Sequence, residues 1–312
     1  MSMRITKAVI PAAGRGSRLY PATKSQAKEM LPLGTKPVIQ HVVEELAEAG
    51  VRQILIITGR LKRAIEDHFD ADPRWLEEIG NGEFDGHLWH SGVEIFYTRQ
   101  SHPLGLGDAI SRARAFCGCD PFVVALGDSI IANRAPQEGR GVMTRLVETF
   151  ENNDAAAAVA TYQVTPADTK RYGILAPVGE VDGTEAFPLR DIVEKPGPEK
   201  APSRWAVAAR YVLCPEVFDE IDAGRESVGP GEEVQLTAAI RRLIGRGPVY
   251  GVPLERDEFR LDVGDFPTYG RSFARMMATD PRHGKGFVEY LRHLMGYMDG
   301  MEADPDAWAA EE

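Results

Sequence analysis

The stretch "AVIPAAGRGSRLYPATKSQAKEMLPL", Ala8 to Leu33, decides the fold. An apolar run ends in a loop carrying Gly14 and Gly16, and a Lys-rich segment bounded by Pro21 and Pro32 follows. A short continuous apolar run reads as a buried parallel strand, and the loop at its carboxyl end is where open α/β sheets bind ligands. The glycines allow backbone amides to point into one cavity, and Arg18 adds a rigid cationic fork for phosphate. A plain tight turn is the other reading of two glycines alone. Neither the third glycine of the dinucleotide fingerprint nor the Gly-Lys-Ser/Thr of the Walker loop is present, which disfavours a dehydrogenase. Lys24 and Lys28 stand four positions apart, so a helix here predicts both ammonium groups on one face near the phosphates, or else a solvated helix face.

Outward from this stretch, apolar runs alternate with amphipathic ones, the pattern of an α/β protein with a largely parallel sheet. Strands are predicted at Lys7 to Pro11, Gln53 to Thr58, Val93 to Thr98 and Phe122 to Leu126. A helix starts at Pro37, with Val38, Val42, Val43 and Leu46 on one face, and two more cover Arg60 to Phe69 and Gly107 to Phe116. Further strands fall at Ala155 to Tyr162, Leu189 to Glu194 and Ala206 to Leu213, with a hairpin in "PVGEVDGTEAFP". Helices return at Val234 to Gly245 and Phe266 to Ala278. No repeat or long linker divides the chain, so one domain is predicted over about residues 1–300. It comprises a nucleotide-binding half (about 1–150), a sugar-binding half (about 151–265), C-terminal helices (about 266–300) and an acidic tail, 301–312.

Composition narrows the function. The chain has 312 residues, 43% of them hydrophobic, enough for a full core, and a net charge of −11 that disfavours a nucleic-acid partner. No apolar run reaches bilayer length and the N-terminus lacks a signal-peptide pattern, so a cytoplasmic location is expected. Three cysteines make no disulfide framework. Cys117 with Cys119, and His87 with His90, lack the further ligands a zinc site needs, so core or loop roles are expected of them.

"GRGSRLYPATKSQAKEMLPLGTKPVIQ" resembles the signature of the bacterial UTP–glucose-1-phosphate uridylyltransferases, within the sugar-nucleotide pyrophosphorylases. The likeness continues in order through "TRQSHPLGLGDAI", "VVALGDSII", "RYGIL", "DIVEKP", "RYVLCPEVF", "GEEVQLTAAI" and "RLDVGDFPTYGRSF". The resemblance implies a glycosyltransferase-A-like, Rossmann-like α/β fold: a mixed, mainly parallel sheet flanked by helices, with a small β-rich sugar-binding part. It implies a Mg²⁺-dependent reaction of UTP with glucose 1-phosphate that yields UDP-glucose and pyrophosphate, in a homo-oligomer (dimer or tetramer).

The residues fit that chemistry one by one. Two polyanions must meet, so Arg18, Lys28 and Lys195 are the catalytic candidates, acting through position and charge. Asp128 ends the run "FVVALGD" and Asp262 ends "FRLD"; two carboxylates at the sheet mouth suit Mg²⁺, though either alone suits a turn or helix cap. By resemblance Glu194 holds sugar hydroxyls, Lys195 the sugar phosphate, and Gly173 lies against the sugar ring; an ordinary Glu-Lys strand end is the alternative. Gln100 offers a donor and an acceptor to the imide edge of uracil, with backbone groups from Ala12, Ala13 and Gly105, or else is a surface polar residue; Gly14 and Gly16 bind the nucleotide through its phosphates. Asp108 stands near the nucleotide where the family usually has His, able to accept a proton or repel a phosphate. Ala209 stands where Gly is common, trimming the sugar pocket. A pyrophosphorylase for dTTP or another sugar, and a non-catalytic nucleotide-sugar sensor, are the alternatives; the joint presence of Arg18, Lys28, Asp128, Lys195 and Asp262 argues against the sensor.

Overall fold

The computed structural model describes residues 5–70, 92–133, 141–229 and 231–303. Its strands are β1 (Lys7–Pro11), β2 (Pro32–Leu33), β3 (Lys36–Pro37), β4 (Gln53–Thr58), β5 (Glu94–Arg99), β6 (Phe122–Ala125) and β7 (Ser129–Asn133). They continue as β8 (Ala157–Gln163), β9 (Gly173–Pro177), β10 (Phe187–Glu194), β11 (Trp205–Leu213), β12 (Val249–Pro253) and β13 (Glu258–Asp262). Nine of them form one sheet in the order β5-β4-β1-β6-β11-β8-β12-β10-β9. The first four in this order are mutually parallel, as the apolar runs predict. From β6 onward the sheet becomes mixed: β11 runs against both β6 and β8, and β10 against both β12 and β9, whereas β12 and β8 are parallel. The expected hairpin is the β9–β10 pair.

Successive residues of a strand point to opposite faces, and β1 sorts accordingly. Ala8 and Ile10 pack with Val38, Val42 and Leu46 of the helix Val38–Glu48 and with Leu146 of the helix Val142–Asn152. Val9 faces the other layer, with Ile110, Phe218 and Ile240 from helices Leu106–Ser111, Val217–Glu226 and Leu236–Leu243. Both layers draw residues from before and after position 150, because the sheet runs through both halves of the chain. Arg210, fully buried, donates to both oxygens of Glu45 at 2.9 and 2.7 Å and to the Ser129 carbonyl, tying the first helix to β11.

Several boundaries move for local reasons. The helix expected from Arg60 begins at Arg63, since Leu61 has φ 66, outside the helical region. The helix expected over Gly107 to Phe116 is two, Leu106–Ser111 and Arg114–Cys117; at the break the Ser111 hydroxyl donates back to the Asp108 carbonyl. Helices Val142–Asn152 and Val217–Glu226 and strands β7, β12 and β13 were not read from the sequence. No helix among the described residues is long and apolar enough to cross a membrane. His87, His90 and residues 304–312 of the acidic tail lie outside the described residues. Cys117 is buried and Cys119 exposed, both as free thiols.

Candidate active site

The loop after β1 turns at Gly16, whose φ of 67 favours glycine, and the Thr23 hydroxyl caps its carbonyl at 2.8 Å. Ala13, Gly14, Gly16, Arg18 and Lys28 line a cleft of about 630 Å³ that also reaches Gln100 and Gly105. Ala12 does not join them: it is buried, and its N–H is spent on the Ile57 carbonyl at 2.9 Å, part of the tie between β1 and β4. The Lys24–Lys28 segment is not one helix. Ala27 is extended, with ψ 135, and only a short 3₁₀ turn, Lys28–Met30, follows. Lys24 therefore lies exposed while Lys28 turns inward.

Lys28 donates to the Asp128 carboxylate, and both groups are largely buried. Burial pulls the ammonium's pKa down, but the carboxylates of Asp128 and Glu29 outweigh it and hold it above its usual range. For Asp128 burial acts upward; Lys28 and Arg260 outweigh it and bring the carboxyl down to about 2. Beneath them lies a second buried pair, Lys62 and Glu29 at 2.5 Å, which fastens the 3₁₀ turn to the segment after β4.

β7 and β13 explain how the second carboxylate arrives. They form an antiparallel ladder in which Asp262 opposes Ser129, and the Val263 N–H donates to the Asp128 carbonyl at 3.2 Å. Asp262 thus lies beside Asp128, and burial, with the neighbouring Asp128 charge, raises its pKa against the pull of Arg260. Among the described residues no cluster of three or more His, Cys, Asp or Glu could cage a metal. Two adjacent carboxylates offer the hard oxygens that Mg²⁺ takes, alongside waters and phosphate oxygens.

Beside the cleft lies a smaller cavity of about 350 Å³, which shares Arg18, Asp128, Glu194 and Lys195 with the first. Glu194 ends β10 and its Oε2 accepts from the Thr237 hydroxyl at 3.0 Å. Lys195 has φ 46, a sparsely populated conformation for a non-glycine residue, and its Nζ lies 3.2 Å from Glu194. Gly173 opens β9 against Glu194; a Cβ there would come within 2.8 Å of Thr237 Cγ2 and 3.3 Å of Glu194 Oε2. The space that excludes a side chain at 173 is thus already filled by the protein's own atoms. Ala209 lies in the same cavity with φ 62, inside the register shift between β11 and β8.

Gln100 follows β5, and its Nε2 donates to the Gly105 carbonyl at 3.1 Å and to Asp108 Oδ2 at 2.7 Å. Gly105 has φ 105 and packs against the backbone of Val234, where a Cβ would sit 2.6 Å from the carbonyl oxygen. Asp108 is not part of the cleft lining; it lies behind Gln100, 1% exposed, and accepts also from Arg112 and Arg225 at 2.9 Å each. A third cavity, of about 550 Å³ on the far side of the first helix, is lined by Glu44, Glu45, Glu48 and Glu258 and suits no phosphate.

The family model described as nucleotidyl transferase matches residues 7–278. The chain belongs to the nucleotidyl transferase family. It is 39% identical over 296 residues to a UTP–glucose-1-phosphate uridylyltransferase of Staphylococcus haemolyticus, covering 93% of this chain and 99% of that one. A UTP-bound UGPase from Acinetobacter baumannii superposes with TM-score 0.83 at 29% identity, covering 93% of this chain and 99% of that one. A UDP-glucose pyrophosphorylase complexed with UDP-glucose superposes with TM-score 0.75 at 32% identity, over 87% and 98% of the two chains.

In this nucleotidyl transferase, Arg260 and Thr237 are site residues that the sequence reading left without a role. Arg260 donates to Ser129 Oγ at 2.8 Å, to the Tyr162 hydroxyl at 3.3 Å and to Asp262 Oδ1 at 3.2 Å, so it orients one carboxylate of the pair. A signal was available: two residues apart on a strand, Arg260 and Asp262 share a face. Thr237 carried no such signal, since its contact to Glu194 is made between segments far apart in the chain.

Proposed function

We propose that the chain transfers a uridylyl group from UTP to glucose 1-phosphate, giving UDP-glucose and pyrophosphate with Mg²⁺. The observation that carries this reading is the meeting of two cavities at Arg18, Asp128, Glu194 and Lys195, with Gln100 in the larger alone. The relatives described above support UTP and glucose 1-phosphate as the substrates.

In this mechanism an oxygen of the sugar phosphate attacks the α-phosphorus of UTP. A new P–O bond forms, the bond to the bridging oxygen of the β-phosphate breaks, and its electron pair leaves on pyrophosphate. The attacking oxygen is already anionic, so no side chain need act as a nucleophile. Arg18 and the loop backbone from Ala13 to Gly16 hold the triphosphate, and Lys28 supplies charge beside the α-phosphate. Lys195 holds the attacking phosphate, and Glu194 accepts from the sugar hydroxyls. Catalysis comes from alignment and charge neutralisation in a partly buried site. Asp128 and Asp262 would hold Mg²⁺, which when bound neutralises charge on the phosphates. We assign the reaction to the cytoplasm and to a homo-oligomer, following the resemblance.

The test is pyrophosphate release across nucleoside triphosphates and sugar 1-phosphates, with and without Mg²⁺. The expected result is maximal release with UTP and glucose 1-phosphate, abolished by chelation. A preference for dTTP would overturn the uridylyl assignment and leave the transfer chemistry standing.

A further inference from the structure

We propose that Asp108 is a positioning residue that sets which end of the Gln100 amide faces the nucleotide, and thereby selects against cytosine. The inference rests on the reading of the larger cavity as the nucleotide site. A glutamine amide carries an acceptor at one end and two donors at the other, and a free one can present either. Here both N–H groups of Gln100 are used, one on the Gly105 carbonyl and one on Asp108 Oδ2. Neither partner donates, since one is a backbone carbonyl and the other a carboxylate that two arginines also donate to, so the amide has one satisfactory orientation. Among the described residues, the Gln100 Oε1 accepts no hydrogen bond, which leaves a carbonyl oxygen as the group offered to the cavity that Gln100 lines.

Asp108 is itself held. It sits on the helix Leu106–Ser111, and its Oδ1 accepts from Arg112 and from Arg225 of the helix Val217–Glu226, at 2.9 Å each. Arg225 is further fixed by the Ser111 hydroxyl at 2.9 Å. The two arginines take one carboxylate oxygen, and the other is left for Gln100. Uracil and thymine carry an N–H at position 3 of the ring, which the Gln100 oxygen accepts. Cytosine carries a lone pair there, which that oxygen repels. The clamp therefore admits UTP or dTTP and rejects CTP by an unfavourable contact as well as a missing one. It does not separate uracil from thymine.

The test is the dissociation constants of UTP and CTP, by calorimetry, together with kcat and KM for both, in the wild type and in Asp108→Asn. The substitution keeps size and burial. It places an amide oxygen against the arginines and an NH₂ against Gln100, while the Gly105 carbonyl still calls for the glutamine NH₂; the two demands now oppose each other, so the amide is no longer held one way and turns its own NH₂ to the base in part of the population. The expected result is a fall of about tenfold or more in the CTP-to-UTP ratio of dissociation constants, with UTP weaker and CTP tighter, and a larger change in KM than in kcat. Equal weakening of both nucleotides, or an effect on kcat alone, overturns the clamp. If Asp108→Asn does not fold, the double variant Arg112→Met, Arg225→Met tests the same device from the surface. Without the arginines nothing fixes the rotation of the carboxylate, so Oδ2 is no longer held toward the amide, and the ratio falls about threefold or more, against no change if the clamp is absent. A wild type that binds UTP and CTP alike overturns the inference, whereas the pyrophosphate-release panel judges the proposed reaction separately.

Discussion

Lys28 and Asp128, exactly one hundred positions apart in the chain, form a hydrogen-bonded ion pair where the two cavities meet. Each is the other's main source of compensating charge. Asp128→Asn keeps the shape and removes the charge. It should lower uridylyl transfer by about 10²–10³-fold, the scale for losing one charge-stabilising group, and cost about 1–3 kcal/mol by leaving Lys28 without an ionised partner. Turnover against Mg²⁺ concentration and urea unfolding measure the two effects; a variant within a fewfold of wild type at ordinary Mg²⁺ takes Asp128 out of the metal site.

Lys195 lines both cavities at that junction, its Nζ beside Glu194. Lys195→Ala should raise KM for glucose 1-phosphate by about 10–100-fold while leaving KM for UTP within about twofold. Initial rates with each substrate varied in turn decide it. Equal effects on both would reassign the lysine to the triphosphate.

Ala209 carries its methyl group at φ 62, where an L-residue is strained and glycine is not. Ala209→Gly should stabilise the fold by about 0.5–1 kcal/mol, after the greater freedom of glycine in the unfolded chain is set against the relief. Because the residue also lines the smaller cavity, the proposed sugar site, the same change should relax discrimination against bulkier sugar 1-phosphates by a few-fold. Thermal unfolding and a sugar panel on one preparation read both, and a lower melting temperature refutes the strain argument.

His41 supplies a pH dependence of stability. Burial lowers its pKa below 6.5, against the upward pull of the Leu33 carbonyl, and its Nε2 lies 2.9 Å from that oxygen. His68, paired with Gln40, is lowered by burial too. An imidazole that resists protonation when folded leaves the unfolded chain binding more protons in acid. Stability is therefore full above the unfolded value near 6.5 and falls as pH drops through and below it. His41→Gln, which keeps a donor for Leu33, should flatten part of this slope. Urea midpoints from pH 7.5 down to 5 compare the two proteins, and identical slopes would exclude His41 as a contributor.

The sequence by itself determined the strands of the parallel first half directly, and the class of reaction through resemblance. Those strands are legible because their pattern is local. Alternation along β1 assigns Ala8 and Ile10 to one layer and Val9 to the other, and glycines in a loop after a strand mark a ligand site whatever lies further along. Only the tertiary structure decided which groups actually face the ligand. It took Ala12 out of the cleft by pairing its N–H with Ile57, and it turned Lys24 out while Lys28 went in. It brought Asp262 beside Asp128 through the β7–β13 ladder, and it set Asp108 behind Gln100 and against Arg225, which comes from the distant helix Val217–Glu226. The physical reason is common to all four. A polar group's role depends on which partners have already satisfied it, and those partners arrive from segments whose meeting no local pattern encodes.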